Sequence, residues 1–256
     1  MTGDGRPVEE DTTMQYLALL GGDESALPPK GTPAFEALMP GYVRFGEVAG
    51  AASLGGAALE PAGTATTIRP GDGGPLVTDG PFAETAEAIG GYYVLEAETL
   101  DDAIDLARQI PVATLGWVAL RPVVLEALAS EAAGARVPPA SGARYLAMLY
   151  GKESAGDVPG TPEWEAGAAE HGRFVEAAGD AVLSGVAVHP VDTTTTVRVR
   201  DGEVLVTDGP YAEAAEVAGG VYMLWAPTRE AAVSLAAQIP VNPGGAVELR
   251  PVMELG

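Results

Sequence analysis

The heptapeptide Thr78-Asp79-Gly80-Pro81-Phe82-Ala83-Glu84 returns as Thr207-Asp208-Gly209-Pro210-Tyr211-Ala212-Glu213. The offset, 129 residues from Asp79 to Asp208, also carries Tyr16 to Tyr145, Arg44-Phe45 to Arg173-Phe174 and Thr66-Thr67 to Thr195-Thr196. It carries Gly90-Gly91 to Gly219-Gly220, Gln109-Ile110-Pro111-Val112 to Gln238-Ile239-Pro240-Val241, and Arg121-Pro122-Val123 to Arg250-Pro251-Val252. No gap is needed between Tyr16 and Val123. A unit of roughly 110 residues has therefore been duplicated, and that is an ordinary domain size. Two copies are too few for a solenoid, so the chain reads as two homologous domains, residues 14–126 and 143–256. Between them, Val124 to Gly142 reads as an apolar helical tail with Leu125 and Leu128, followed by the linker Pro138-Pro139-Ala140-Ser141-Gly142.

Each copy gives the same local pattern. Tyr16 to Leu20 and Tyr145 to Leu149 are short apolar strands. Thr32-Pro33 and Thr161-Pro162 set a capping hydroxyl before a proline at the first helical position, which predicts helices running to Ala52 and Ala181. From Thr193 to Arg200 the residues alternate, with Val197 and Val199 on one face, and Asp201-Gly202 is a strong type I′ hairpin signal leading into Glu203 to Thr207. Gly71-Asp72-Gly73-Gly74 makes the corresponding turn in the first copy. A strand follows at Gly91 to Ala97 and Gly220 to Ala226. Thr99, with Asp102 three residues on, opens a second helix as Thr228 opens its counterpart, and Trp117 to Val123 and Val247 to Val252 close each unit as strands. This order is the ferredoxin-like βαββαβ plan with an extra strand in the middle hairpin, an α+β fold whose sheet has helices on one face only. The bare faces of the two sheets are expected to cover each other across a pseudo-twofold axis, completing a barrel-like core within one chain.

Composition narrows the function. Against 14 Lys and Arg stand 36 Asp and Glu, a formal charge of −22, so a phosphate backbone is repelled and no nucleic acid is expected as a partner. The absence of cysteine excludes disulfides, thiolate metal sites and a cysteine nucleophile, and fits a reducing cytoplasm. No run approaches 18 apolar residues, and the acidic stretch from Met1 to Thr13 reads as an unstructured leader rather than a signal peptide, so no membrane association is expected. Two histidines without the close spacing of a helical zinc motif imply no metal. Gly151-Lys152-Glu153-Ser154 lacks the upstream glycine and the Ser/Thr adjacent to the lysine that a phosphate loop has, and Ser53 has neither a triad partner nor a serine in the second copy. No cofactor is implied.

The Asp-Gly-Pro-Phe run, the Gly-Gly-aromatic strand, the helix ending in Ile-Pro and the closing Arg-Pro-Val together resemble the YCII-related, or DGPF-domain, family over about residues 14 to 123 and 143 to 253. The resemblance implies a dimeric α+β barrel, here formed within one chain. It also implies a spread of roles: some members are described as transcription-initiation proteins or lie near alternative sigma factors, and a few relatives are lyases or isomerases that use a His and Asp pair. The family's histidine falls on His171, in Glu170-His171-Gly172-Arg173-Phe174, and on Tyr42 in the first copy. Its aspartate falls on Ile239 and Ile110, so His171 requires another carboxylate, for which Asp208 and Glu213 are the candidates.

Two readings stand for each candidate. His171 is a base near neutral pH or a surface helix histidine between Glu170 and Arg173. Asp208 makes a turn or lines a pocket with Glu213. Arg198, like Arg69, Arg121 and Arg250, is a cation kept in both copies; it pairs with a motif carboxylate or binds an anionic ligand, with Arg173 beside His171 as a further contact. His189, before Pro190, reads as a loop residue. The function expected is binding of a small organic molecule in the barrel cleft, with acid–base chemistry of a lyase or isomerase type. The alternative is a non-catalytic module for a protein partner such as a sigma factor, the monomer being an internal pseudo-dimer open to higher assembly.

Overall fold

In the computed structural model, residues 13–83, 87–126, 141–152, 158–211 and 217–255 are described. The first unit runs β1 (Met14–Asp23), α1 (Pro33–Ala49), β2 (Ser53–Ala58), a hairpin of β3 (Thr66–Arg69) and β4 (Leu76–Asp79), β5 (Glu87–Ala97), α2 (Leu100–Ala107), the short α3 (Val112–Leu115) and β6 (Trp117–Glu126). The second runs β7 (Ala143–Gly151), α4 (Pro162–Ala178), β8 (Val182–Val188), a hairpin of β9 (Thr195–Arg200) and β10 (Glu203–Asp208), β11 (Val217–Ala226), α5 (Arg229–Ala236) and β12 (Ala246–Pro251). No described helix is long and apolar enough to cross a membrane.

Local chemistry sets the boundaries. The Thr32 and Thr161 hydroxyls accept from the Phe35 and Trp164 amides, each with proline in the first turn. Thr99 and Asp102 exchange both bonds of a capping box. Asp201 and Gly202 both have positive φ, 52° and 83°, as a type I′ hairpin requires. The first helices end at Ala49 and Ala178, short of Ala52 and Ala181, because a single 3-10 turn intervenes in each copy.

Two sequence expectations need correction. Each unit has a further strand, β2 or β8, between its first helix and its hairpin. β2 reads as loop in sequence because it is Ser-Leu-Gly-Gly-Ala-Ala, yet closeness demands those small residues: a Cβ on Gly56 would lie 2.6 Å from the Tyr92 carbonyl oxygen. Residues 124–126 are strand rather than helical tail, since β6 continues far enough to pair Leu125 with Ala187 and Glu126 with Val186. Leu128 and Pro138 to Ala140 lie outside the described residues.

All ladders are antiparallel, and each unit gives its hairpin to the other. β3 pairs with β12 (Ile68 opposite Val247), and β9 pairs with β6 (Val197 opposite Val118). The strand orders are β2-β5-β1-β6-β9-β10 and β4-β3-β12-β7-β11-β8. β6 joins β8 through Val123 and Val188, and a bridge between Leu59 and Val252 makes the equivalent link on the other side.

The period of two along each strand sorts the core into three layers. Leu17, Leu19 and Val94 meet Leu146, Met148 and Met223 in a central cluster between the units. Tyr16, Leu95 and Ile110 pack on the first unit's helical side, joined by Val197 from the exchanged hairpin. Tyr145, Leu224 and Ile239 do the same in the second, joined by Ile68. Burying an aliphatic side chain is worth about 1.5–3 kcal/mol, so the exchanged Val197 and Ile68 each tie the halves together materially.

The repeated Asp-Gly-Pro-aromatic motif clamps this exchange. Gly80 and Gly209, at φ 102° and 95°, donate their amides to the Ala65 and Thr194 carbonyls and accept from the Thr67 and Thr196 hydroxyls. The aromatic that follows then crosses to the other unit. Phe82 stacks on Tyr150 at 4.7 Å with the Arg69 guanidinium over its far face, and Tyr211 stacks on Trp117 at 5.1 Å with Arg198 over it at 4.3 Å. Trp117 lies over Gly21, where a Cβ would fall 2.2 Å from the indole; the second unit inverts the pair, with Tyr150 in place of the glycine and Ala246 in place of the tryptophan.

Each unit also buries the arginine of its closing strand. Arg250 donates to the Glu248 carboxylate and the Ile89 carbonyl, and Glu248 also accepts from the Phe82 amide at 2.8 Å. Arg121 donates to the Ala218 and His189 carbonyls, so the His189 loop is held by its backbone.

Candidate functional site

His171 lines a cavity of about 370 Å³ in the second unit, large enough for a small organic molecule. α4 supplies His171 with Trp164, Gly167 and Ala168; β11 supplies Gly219 to Tyr222; the end of β7 supplies Tyr150, with Lys152 just beyond it. Asn242 comes from the loop after α5, and Arg121 reaches in from the first unit.

The helix opens the cavity by what it lacks. A Cβ on Gly167, Gly172 or Gly219 would meet nothing within 4 Å. In the first unit the positions of Gly167, Ala168, His171 and Gly172 hold Leu38, Met39, Tyr42 and Val43. α1 also sits tight there, since a Cβ on Gly41 would lie 2.9 Å from the Pro111 ring. Tyr42 is half-buried, and burial, with a smaller push from Tyr93, raises its phenol to about 12. The duplicated sites are thus unequal in lining: the first unit's helix carries Leu38, Met39 and Tyr42 where the second carries Gly167, Ala168 and His171.

His171 is half-buried, and its Nδ1 lies 3.0 Å from the Tyr222 hydroxyl, with the rings stacked at 5.9 Å. Tyr222 is braced edge-on by Phe174 at 5.4 Å, and burial pushes its phenol up to about 12. Tyr222 is the partner that sequence reasoning missed. The signal was available: in the strand after Gly219-Gly220, alternation turns Val221 to the central core and Tyr222 toward the helix that carries His171.

The other candidates sit elsewhere. Arg173 faces solvent and pairs with Glu170 at 3.7 Å. Arg198 covers Tyr211 and does not line the cavity. Asp208, exposed on β10, pairs with Thr195, which pairs in turn with Leu120; it does not line the cavity either. Glu213 lies outside the described residues.

Burial holds the His171 imidazole below its ordinary value, against a smaller upward pull from Glu170. The folded form therefore resists protonation that the unfolded chain accepts below about pH 6.5. Stability should fall as pH drops through that value and keep falling until the folded imidazole also protonates. His171→Asn should remove this component, so urea unfolding at pH 7.5 and 5.5 should show the parent losing ground to the variant at the lower pH. A parent–variant gap that does not change with pH would show that the imidazole is not shielded.

Fold and site together define an α+β protein of two homologous units on a large antiparallel sheet, with one hollow, histidine-bearing cavity. The chain belongs to the YCII-related domain family, whose domain matches residues 14–126 and 143–256. It is similar to an uncharacterized protein of Rhizobium meliloti (strain 1021), with 41% identity over 71 residues. That match takes in 27% of this chain and 57% of the relative, so the chain spans little more than half of that protein's length.

Proposed function

We propose that the second unit's cavity binds a small organic molecule and that His171 acts on it in a reaction of lyase or isomerase type. In this reading the two units pair as an intramolecular α+β barrel, and Arg121, supplied by the first unit, completes the second unit's site. The observation that carries the proposal is the cavity with the His171–Tyr222 pair on its wall, where the first unit has Leu38, Met39 and Tyr42 at the positions of Gly167, Ala168 and His171. A half-buried imidazole ordered by a neighbouring phenol can give a hydrogen bond or a proton to a bound molecule in such a reaction.

The test is a thermal-shift screen of small organic compounds on the full chain. A ligand at 100 times its Kd adds about 2.7 kcal/mol, or roughly 5–10 °C for a chain of this size. The double variant Gly167→Leu/Ala168→Met fills the cavity from the helix with the residues of the first unit, and leucine replaces a glycine that costs up to about 1 kcal/mol. Its unliganded Tm should hold or rise while the ligand shift disappears. A shift that survives in the double variant would place binding outside this cavity.

A further inference from the structure

We propose that the cavity is a site for a carboxylate-bearing small molecule, with Tyr222 holding His171 in the tautomer that donates from Nε2. This deepens the reading above and rests on it.

The tautomer follows from satisfying a buried hydroxyl. Tyr222 is 5% exposed, and among the described residues the sole hydrogen-bond partner of its hydroxyl is His171 Nδ1. The phenol is protonated at neutral pH, because burial raises it far above that range. If Nδ1 carried a proton and donated to the phenol oxygen, the O–H of this 5% exposed tyrosine would be left without a protein acceptor among the described residues, which is the costly arrangement. The hydroxyl therefore donates to Nδ1. A neutral imidazole that accepts at Nδ1 carries its proton on Nε2. Burial favours that neutral ring, and Nε2 makes no hydrogen bond to a described residue. His171 then presents a donor to the cavity rather than a lone pair, and its part is to stabilise negative charge on a ligand oxygen.

The lining carries the same sign. Arg121, 4% exposed, and Lys152 bring two of the chain's 14 basic residues to one cavity, and no carboxylate is among its described lining residues. The guanidinium acts through its field, since both its Nη groups already donate to the carbonyls of Ala218 and His189. Such a field in a partly desolvated cavity favours an anion over its neutral isostere. In a protein with a formal charge of −22, a cavity of this sign stands against the surrounding repulsion.

Two measurements on the full chain test this. Long-range proton–nitrogen correlation of the ¹⁵N-labelled protein at pH 7.5 should show His171 with its proton on Nε2, assigned by its loss in His171→Asn. Tyr222→Phe should return the ring to a mixture of tautomers. A proton on Nδ1 in the parent would overturn the proposal. Matched acid and amide probes, benzoate against benzamide and phenylacetate against phenylacetamide, are then titrated by thermal shift. The acids should bind at least tenfold tighter, and Lys152→Met should reduce that preference several-fold. Binding of the amides alone, equal binding of both, or binding of neither would overturn the carboxylate assignment. Amide binding that Gly167→Leu/Ala168→Met abolishes would leave the small-molecule reading of the cavity standing.

Discussion

Replacing Glu248 by alanine should remove about 3–5 kcal/mol from the stability of the whole chain, the usual cost of stripping one partner from a buried ion pair. Glu248 and Arg250 are each about 2% exposed, so water cannot replace the lost carboxylate. Arg250 would keep only carbonyl acceptors, chiefly that of Ile89 at 3.0 Å, and the Phe82 amide would lose its acceptor as well. The damage should not be local. Phe82 belongs to the first unit's motif and Glu248 to the second unit's last strand, so both units should unfold in one transition. Glu248→Gln retains an acceptor for the Phe82 amide and should lose less. Equilibrium urea unfolding measures both, and a loss below about 1 kcal/mol for the alanine variant would show that solvent reaches Arg250.

The second large effect concerns turnover. If His171 acts on a bound compound as proposed, His171→Ala should lower kcat by about 10² to 10⁴, or roughly 3 to 5 kcal/mol of barrier. Folding stability should fall by about 1–3 kcal/mol, because the buried Tyr222 hydroxyl loses its acceptor. Tyr42→Phe, at the equivalent place in the first unit, should leave kcat within a few fold. Burial holds its phenol up to about 12, so it cannot act as a base near neutral pH. A His171→Ala variant with parental kcat would show that the imidazole only shapes the wall.

Features written in neighbouring residues are legible in the sequence alone. The threonine caps before Pro33 and Pro162, the box of Thr99 and Asp102, and the Asp201-Gly202 turn each depend on contacts within a few positions. β2 is hidden because its residues suit closeness to β5 and not strand propensity, and only the packing at Gly56 reveals that. The hairpin exchange is hidden for a related reason. Nothing near Ile68 names Val247 as its neighbour, since that choice is made by the central core and by the reach of the motif aromatics. In the site, His171 is visible through family resemblance. The hollow beside it is written in the differences between the copies, Leu38 against Gly167 and Met39 against Ala168, rather than in their shared residues. Asp208 is drawn toward His171 by its motif, yet its hairpin is committed to the other unit's sheet.

The exchanged hairpins also govern the order in which this chain can mature on the ribosome. β3 and β4 emerge with the first unit, but their partner β12 closes the second unit and follows all of its other strands. Until Val247 and Leu249 arrive, the Ile68 side chain has no sheet to join, and the apolar edge at Leu76 and Val77, still 58% and 44% exposed in the finished molecule, must wait in the open. Such distant pairings slow folding and lengthen the time in which an unpaired edge can meet another nascent chain. A tandem protein of this kind therefore cannot mature one half at a time. The emergence of β12 is the event that lets the first unit finish folding.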